Sequence, residues 1–298
     1  MSLRNWIIFW TLCIVWGVPY FLIKLALVDL SPACVAFGRI LLGALVLAPI
    51  AWHRGVLLPA LRHKGAILAF AVAELAIPFS LISLGESWVS SSMAGVLIAT
   101  VPLMVLIVAP LFGVKEHMSR RRVLGLGIGF VGVVVLLGLD TISTAEQWAG
   151  VACLGGAVAG YAVGPLIVQR YLSEVDELGA VAASLMVASI LLLPTAVMTA
   201  PTTMPSTMSL VSVGILGLLC TAAALLMFFY LINAAGAART TVVAYVNPAI
   251  AALLGILVLN ERFGLGLVLG LAMILLGSWL GTREGRSVGM EAAAAEKA

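Results

Sequence analysis

The sequence predicts an all-α integral membrane protein: ten transmembrane helices forming two inverted five-helix repeats around a central cavity. Three observations predict it. First, 63% of the 298 residues are hydrophobic and only 10% charged, with mean hydropathy +1.19, whereas an ordinary soluble domain is nearer a quarter charged. No soluble fold of this size can hide so much apolar surface, so lipid must cover much of it. Second, apolar segments recur along the chain at close to the ~20 residues a helix needs to cross a bilayer. Third, the chain repeats itself. Residues 92–138 and 237–281 each carry an apolar run with a proline (Pro102, Pro248), ending at a polar residue plus glutamate (Lys115-Glu116, Asn260-Glu261). In both, glycines follow nine and sixteen residues after the glutamate: Gly125 and Gly132, Gly270 and Gly277. The offset of 145 or 146 residues is about half the chain. A duplicated hydrophobic half marks a transporter built from two pseudo-symmetric repeats.

Taken in order, the apolar segments fall at about 5–28, 32–51, 66–86, 92–114, 123–139, 147–169, 178–198, 209–232, 240–259 and 263–281. Arg4 followed by an apolar stretch resembles a signal peptide. The stretch runs past Val28 and carries Trp16 and Lys24, so it reads as a retained first span. Charge supports the count independently. The N-terminus and the loops after the even-numbered spans hold thirteen basic residues, among them Arg54, Arg62, Lys64, Lys115, Arg120, Arg121, Arg122 and Arg170. The opposite loops hold one, Arg262, with Asp29, Glu86, Asp140, Glu146 and Glu261. The positive-inside rule then puts both termini in the cytoplasm. Five spans per half turn the second copy upside down. The expected units are residues 1–145, 146–282 and a cytoplasmic tail, 283–298, with little fixed structure.

The four cysteines are isolated in apolar runs and read as packing residues. The histidines His53, His63 and His117 form no cluster, so no metal is expected. Gly127-x-Gly129-x-x-Gly132 spells a dinucleotide fingerprint but lies inside an apolar span, without the strand that the fingerprint needs. With Gly125-x-x-x-Gly129 and its repeat mate Gly266-x-x-x-Gly270, it predicts tight helix packing. The chain has no G-x-x-x-x-G-K-[ST] loop, so transport must follow gradients rather than ATP. No cofactor and no nucleic-acid partner is expected; the partners are membrane lipid and a small molecule.

With Trp16-Gly17 and Lys24 in the first span, the two proline-to-glutamate runs with their trailing glycines, and the likeness of WGVPYFLIK (16–24) to YAVGPLIVQ (161–169), the chain resembles the EamA-type drug/metabolite transporters. Among them it is most similar to the YddG-type aromatic amino acid exporters. The resemblance covers nearly all of residues 5–282. It implies a bacterial inner-membrane exporter with a cavity lined by spans 1, 3, 4, 6, 8 and 9, and with spans 5 and 10 peripheral.

Several residues qualify for that task. Gly17 and Pro19 fall mid-span in the first helix, and Gly160, Gly164 and Pro165 in the matching part of the sixth. Pro102 and Pro248 occur once per repeat. Such residues loosen the helical ladder and read as hinges, or as residues permitting close packing. Trp16, Tyr20, Phe79, Ser83, Thr100, Tyr161, Tyr230, Tyr245 and Asn247 are the candidates to line the cavity. They offer the donors, acceptors and aromatic walls that an amino acid requires. Trp6, Trp10, Trp88, Trp148 and Trp279 lie near span ends and read as an interfacial belt. Arg39 and Glu74 both fall near mid-membrane, where a charge costs at least ~2.5–3.5 kcal/mol unless paired or wetted. Each is expected to face protein or water, with Glu74 titrating, contacting a substrate ammonium or pairing with Arg39. Lys24 is expected to snorkel beside Asp29.

The resulting expectation is a secondary transporter exporting amino acids, aromatic and other neutral ones, and related metabolites by alternating access. The alternatives are a multidrug or other metabolite carrier of the same fold, and a non-transporting membrane receptor or scaffold. An enzyme is not expected: the spans hold no histidine, and Ser83 and Ser184 have no evident base.

Overall fold

The computed structural model describes residues 2–112, 120–139, 142–235, 240, 243, 246–261 and 264–282. Among them the regular backbone is helical, with no strand. Seven helices are long and apolar enough to cross a membrane: α1 (Leu3–Ala26), α2 (Pro32–His53), α3 (Lys64–Gly85), α4 (Ser91–Phe112), α6 (Ala145–Leu172), α7 (Glu177–Met198) and α8 (Thr207–Ile232). Three shorter apolar helices complete the series: α5 (Arg120–Leu139), α9 (Asn247–Leu257) and α10 (Leu265–Thr282). A short helix, Leu57–Arg62, bridges α2 and α3.

The sequence writes the starts of these helices. Ser31, Ser90, Asp176 and Ser206 each accept a hydrogen bond from a first-turn N–H, satisfying donors that a helix terminus otherwise leaves orphaned. Thr144 and Gln147 form a reciprocal capping box. Proline sets the interruptions. The first helix breaks at Val18, just before Pro19. The fourth breaks at Ala99–Thr100, just before Pro102. A proline lacks the N–H and crowds the preceding turn. In α6 the outcome differs. The helix runs unbroken through Gly160, Gly164 and Pro165, and the irregular turn, a π-turn, comes afterwards at Val168–Leu172. Two more π-turns interrupt α3 at Ala71–Ala76 and α8 at Leu218–Ala223.

Helices half a chain apart pack on one another: α2 on α7, α4 on α9 and α5 on α10, while α1 packs on α8 and α3 on α6. Glycine makes the α5–α10 contact close. A methyl group added at Gly277 would sit 2.5 Å from both the Gly125 carbonyl and the Gly129 amide, and one at Gly132 would lie 3.0 Å from the Gly270 carbonyl. Of the dinucleotide-like glycines, Gly129 and Gly132 are therefore helix-packing residues, whereas Gly127 faces open space. The outside of the bundle is apolar: Leu111, Met198 and Phe130 are among the exposed hydrophobic side chains, and Trp6, Trp10, Trp148 and Trp279 are exposed as well. A surface so rich in large apolar groups belongs in lipid.

Candidate functional site

The bundle centre holds a cavity of about 110 Å³. Residues of α1, α2, α3, α4, α6 and α8 line it, with Asn247 at the start of α9 and Thr240 and Val243 just before it. The candidates Trp16, Tyr20, Glu74, Phe79, Tyr161 and Asn247 all reach it, together with Pro19, Pro165 and Arg39. Arg39 adds α2 to the expected lining helices.

Arg39 is 3% exposed. Its Nε donates to Thr221 Oγ1 on α8 at 3.0 Å, and its guanidinium lies 3.8 Å from the Phe79 ring centroid. Its partners are Thr221 and Phe79, and no ion pair with Glu74 forms among the described residues. Glu74 sits in the π-turn of α3, 6% exposed, and its Oε2 has no hydrogen-bond partner. Two glycines of α6 make room for that turn. A methyl at Gly164 would collide with the Glu74 carboxylate, and one at Gly160 with the Ala73 carbonyl. The structure thus gives these glycines a close-approach role rather than a break.

The walls are aromatic. Phe79 and Tyr161 meet edge to face with centroids 6.5 Å apart, and Trp16 lies 4.9 Å from Phe228. The Trp16 indole donates to the Cys220 carbonyl at 3.2 Å. The Asn247 amide, oriented to satisfy both of its neighbours, donates to the Val243 and Cys13 carbonyls at 3.0 and 3.1 Å, fastening α9 to α1. Gly17 packs against Ile250 of α9, and Pro248 lies in the first turn of that helix.

Three candidates lie elsewhere. The Thr100 hydroxyl donates to the Leu97 carbonyl of its own turn at 2.6 Å. Ser83 is fully buried with its hydroxyl unpartnered, away from the cavity lining. Tyr230 turns to the N-terminus, donating to Asn5 at 3.2 Å beneath the Arg4 guanidinium. Tyr245, like Lys115 and Glu116, lies outside the described residues. Sequence reasoning missed Thr221, Cys220 and Phe228. They carry no spacing signal, since each is one more small or apolar residue in an apolar helix.

One end of the bundle gathers acidic residues, and here too the structure corrects an expectation. Lys24 does not sit beside Asp29; its ammonium donates to the Glu86 main-chain carbonyl. Asp29 instead accepts from the Ser206 amide at 3.0 Å, the Ser206 hydroxyl and the Ser209 hydroxyl at 2.7 Å. Those hydrogen bonds hold its carboxyl below the usual carboxylate range. Glu261 caps the start of α4, accepting from the amides of Ser91 at 2.8 Å and Ser92 at 3.0 Å and from both hydroxyls. Burial pushes its carboxyl up, but the bonds from Ser92 and Ser91 together outweigh burial and hold it below the usual value. Both ties join residues far apart in the chain.

With an apolar helical bundle and a mostly apolar cavity that holds Arg39 and Glu74 established, comparison with known proteins is decisive. A model of the EamA-like transporter family matches twice, over residues 5–138 and 148–283. The chain belongs to the EamA-like transporter family. It is 29% identical over 247 residues to YedA of Escherichia coli K12, described as an inner membrane transporter, covering 82% of this chain and 79% of that one. It is 29% identical over 161 residues to PagO of Salmonella typhimurium, covering 53% and 52%. A transporter of Archaeoglobus fulgidus matches at 25% over 280 residues, covering 90% and 94%. A solved crystal structure superposes with TM-score 0.71 over 95% of this chain and 99% of its own, at 18% identity, a likeness of fold alone. As an EamA-like transporter the protein is a multi-pass membrane protein that takes a small-molecule substrate. YedA and the Archaeoglobus relative are named as transporters.

Proposed function

We propose that the protein exports amino acids, aromatic and other neutral ones, and related small metabolites across the inner membrane by alternating access. One observation carries the reading: a single aromatic-walled cavity holds both a guanidinium, Arg39, and an unpartnered carboxylate, Glu74. A zwitterion needs an opposite charge for each of its ends, and an aromatic side chain finds Trp16, Phe79 and Tyr161 beside them. Glu74 either meets the substrate ammonium or carries a proton in exchange for it.

The architecture we propose is ten spans in two inverted repeats, residues 1–145 and 146–282, with both termini in the cytoplasm and the acidic end outside. The double match of the family model and the packing of helices on their counterparts half a chain away support it. Two similar halves of opposite orientation can exchange which mouth is open. The breaks at Pro19 and Pro102, and the first turn of α9 at Pro248, are where we place the bending.

Flux in proteoliposomes tests the reading, using a panel of labelled amino acids with and without a pH gradient. Saturable counterflow of aromatic and neutral amino acids is expected. No flux of any amino acid overturns it; flux of apolar cations alone makes the protein a multidrug carrier. For topology, thiols introduced by Glu116→Cys and Asn260→Cys are expected to label from opposite faces of the membrane, and same-face labelling refutes inversion.

A further inference from the structure

We infer that Glu86 is a proton-binding carboxyl whose protonation accompanies closure of the acidic end of the bundle. The inference rests on the transport reading above. Glu86 immediately follows α3 in sequence, at the position of a loop charge. It is nevertheless completely buried, and neither of its carboxylate oxygens has a hydrogen-bond partner. The neighbouring acids differ: Asp29 is held by Ser206 and Ser209, and Glu261 by Ser91 and Ser92.

Among the described residues, the charged and titratable groups that interact with Glu86 are Lys24 and Tyr20 on α1, Arg39 on α2 and Glu261 beyond α9. From α6, Cys153 packs at the adjacent Gly85. Lys24 directs its ammonium to the main-chain carbonyl of Glu86, not to the carboxylate. Glu261 brings a second acid into the same field, and its four hydrogen bonds favour the ionised form there. Two carboxylates in one buried site resist ionising together, so the proton resides on the one without donors, Glu86.

Position gives this proton a task. Tyr20 and Arg39 line the cavity, whereas Glu261 joins α4 through Ser91 and Ser92 at the acidic end, and Glu86 interacts with both groups. When that end opens, water reaches Glu86. The O–H bond breaks, the proton passes to water and the carboxylate left behind is compensated by the Lys24 ammonium. Reclosing buries the group again. Burying a carboxylate without donors is heavily penalised, so a proton must return to Glu86 from the same side first. A gate that closes only after reloading its proton makes closure of this end depend on the pH outside it, without itself carrying a proton across the membrane.

The test keeps Cys220, which lines the cavity, as the sole thiol in oriented proteoliposomes and applies a membrane-impermeant maleimide from the acidic end. Labelling relative to Glu86→Gln at each pH cancels the reagent's own pH response. Between about pH 5 and 8 Glu261 stays ionised, so Glu86 is the carboxyl that responds. The ratio is expected to rise several-fold with pH, because deprotonation opposes closure. In parallel, in a Glu74→Gln background the infrared stretch of a protonated carboxyl should persist at neutral pH and be lost when Glu86→Gln is added. Glu86→Asp should keep a pH-dependent ratio, which separates loss of the proton site from misfolding. A flat ratio, or a band that survives Glu86→Gln, overturns the inference. If flux is absent while the ratio and the band behave as expected, the transport reading fails and the proton site stands. If flux is present and the ratio flat, the proton site alone fails.

Discussion

The third and eighth helices contain the same backbone device and use it for opposite ends. Each carries a π-turn, Ala71–Ala76 in one and Leu218–Ala223 in the other, 147 residues further along the chain (218 − 71). Such turns loosen the regular ladder and turn side chains and carbonyls out of register. In α3 the turn delivers Glu74 to the cavity with no partner. In α8 it delivers the Thr221 hydroxyl, which accepts from Arg39, and the Cys220 carbonyl, which accepts from Trp16. One turn leaves a polar group free for a ligand. The other uses its polar groups to fix the cavity wall. On the proposed function, the difference in side chains separates a working group in one turn from supporting groups in the other.

That contrast can be broken by mutation. The largest effect is expected at Glu74→Gln: flux should fall about tenfold or more, or lose its dependence on pH between about 5 and 8, while folding stays intact. Unchanged flux across that range removes Glu74 from the mechanism. Next, Gly164→Ala forces a methyl against the Glu74 carboxylate and is expected to destabilise the protein by about 1–3 kcal/mol, read as a lower Tm in detergent. An unchanged Tm would mean that α3 and α6 do not approach so closely. Thr221→Val should also lower the Tm, by leaving the Arg39 Nε without its acceptor, a loss of about 1–3 kcal/mol. Its pH–flux profile should keep the wild-type shape. If Thr221→Val instead abolishes the pH response as Glu74→Gln does, the two turns are not functionally distinct. Finally, Trp16→Ala and Tyr161→Ala should weaken transport several-fold more than Trp148→Ala, which alters an exposed side chain. Equal, small effects would separate the aromatic walls from substrate binding.

Much of this was legible in the residues. Composition alone required lipid, and each long apolar run became a helix because a bilayer leaves the backbone no other way to satisfy its N–H and C=O groups. Pro19 and Pro102 announced interruptions that the helices do show. Arg39 and Glu74 announced themselves as costly mid-span charges, and both lie at the cavity. Their expected mutual pairing did not follow, because periodicity along one helix does not report which neighbour stands opposite. Ser83, Thr100 and Tyr230 were chosen for their chemistry and fell elsewhere, since polarity says nothing about the face of the helix that the bundle turns inward. Glu86 read as a loop charge and proved to be fully buried.

The sequence by itself determined that the chain lives in lipid, where its helices begin and bend, and that its two halves are copies. These properties depend on local sequence, namely hydrophobic length, caps and the missing donor of proline. Only the tertiary structure decided which polar groups would be satisfied and which left idle. Thr221 for Arg39, Ser91 and Ser92 for Glu261, and nothing for Glu74 or Glu86 are outcomes of contact between residues distant in the chain. The pairing energy of a buried group belongs to its neighbours as much as to the residue itself.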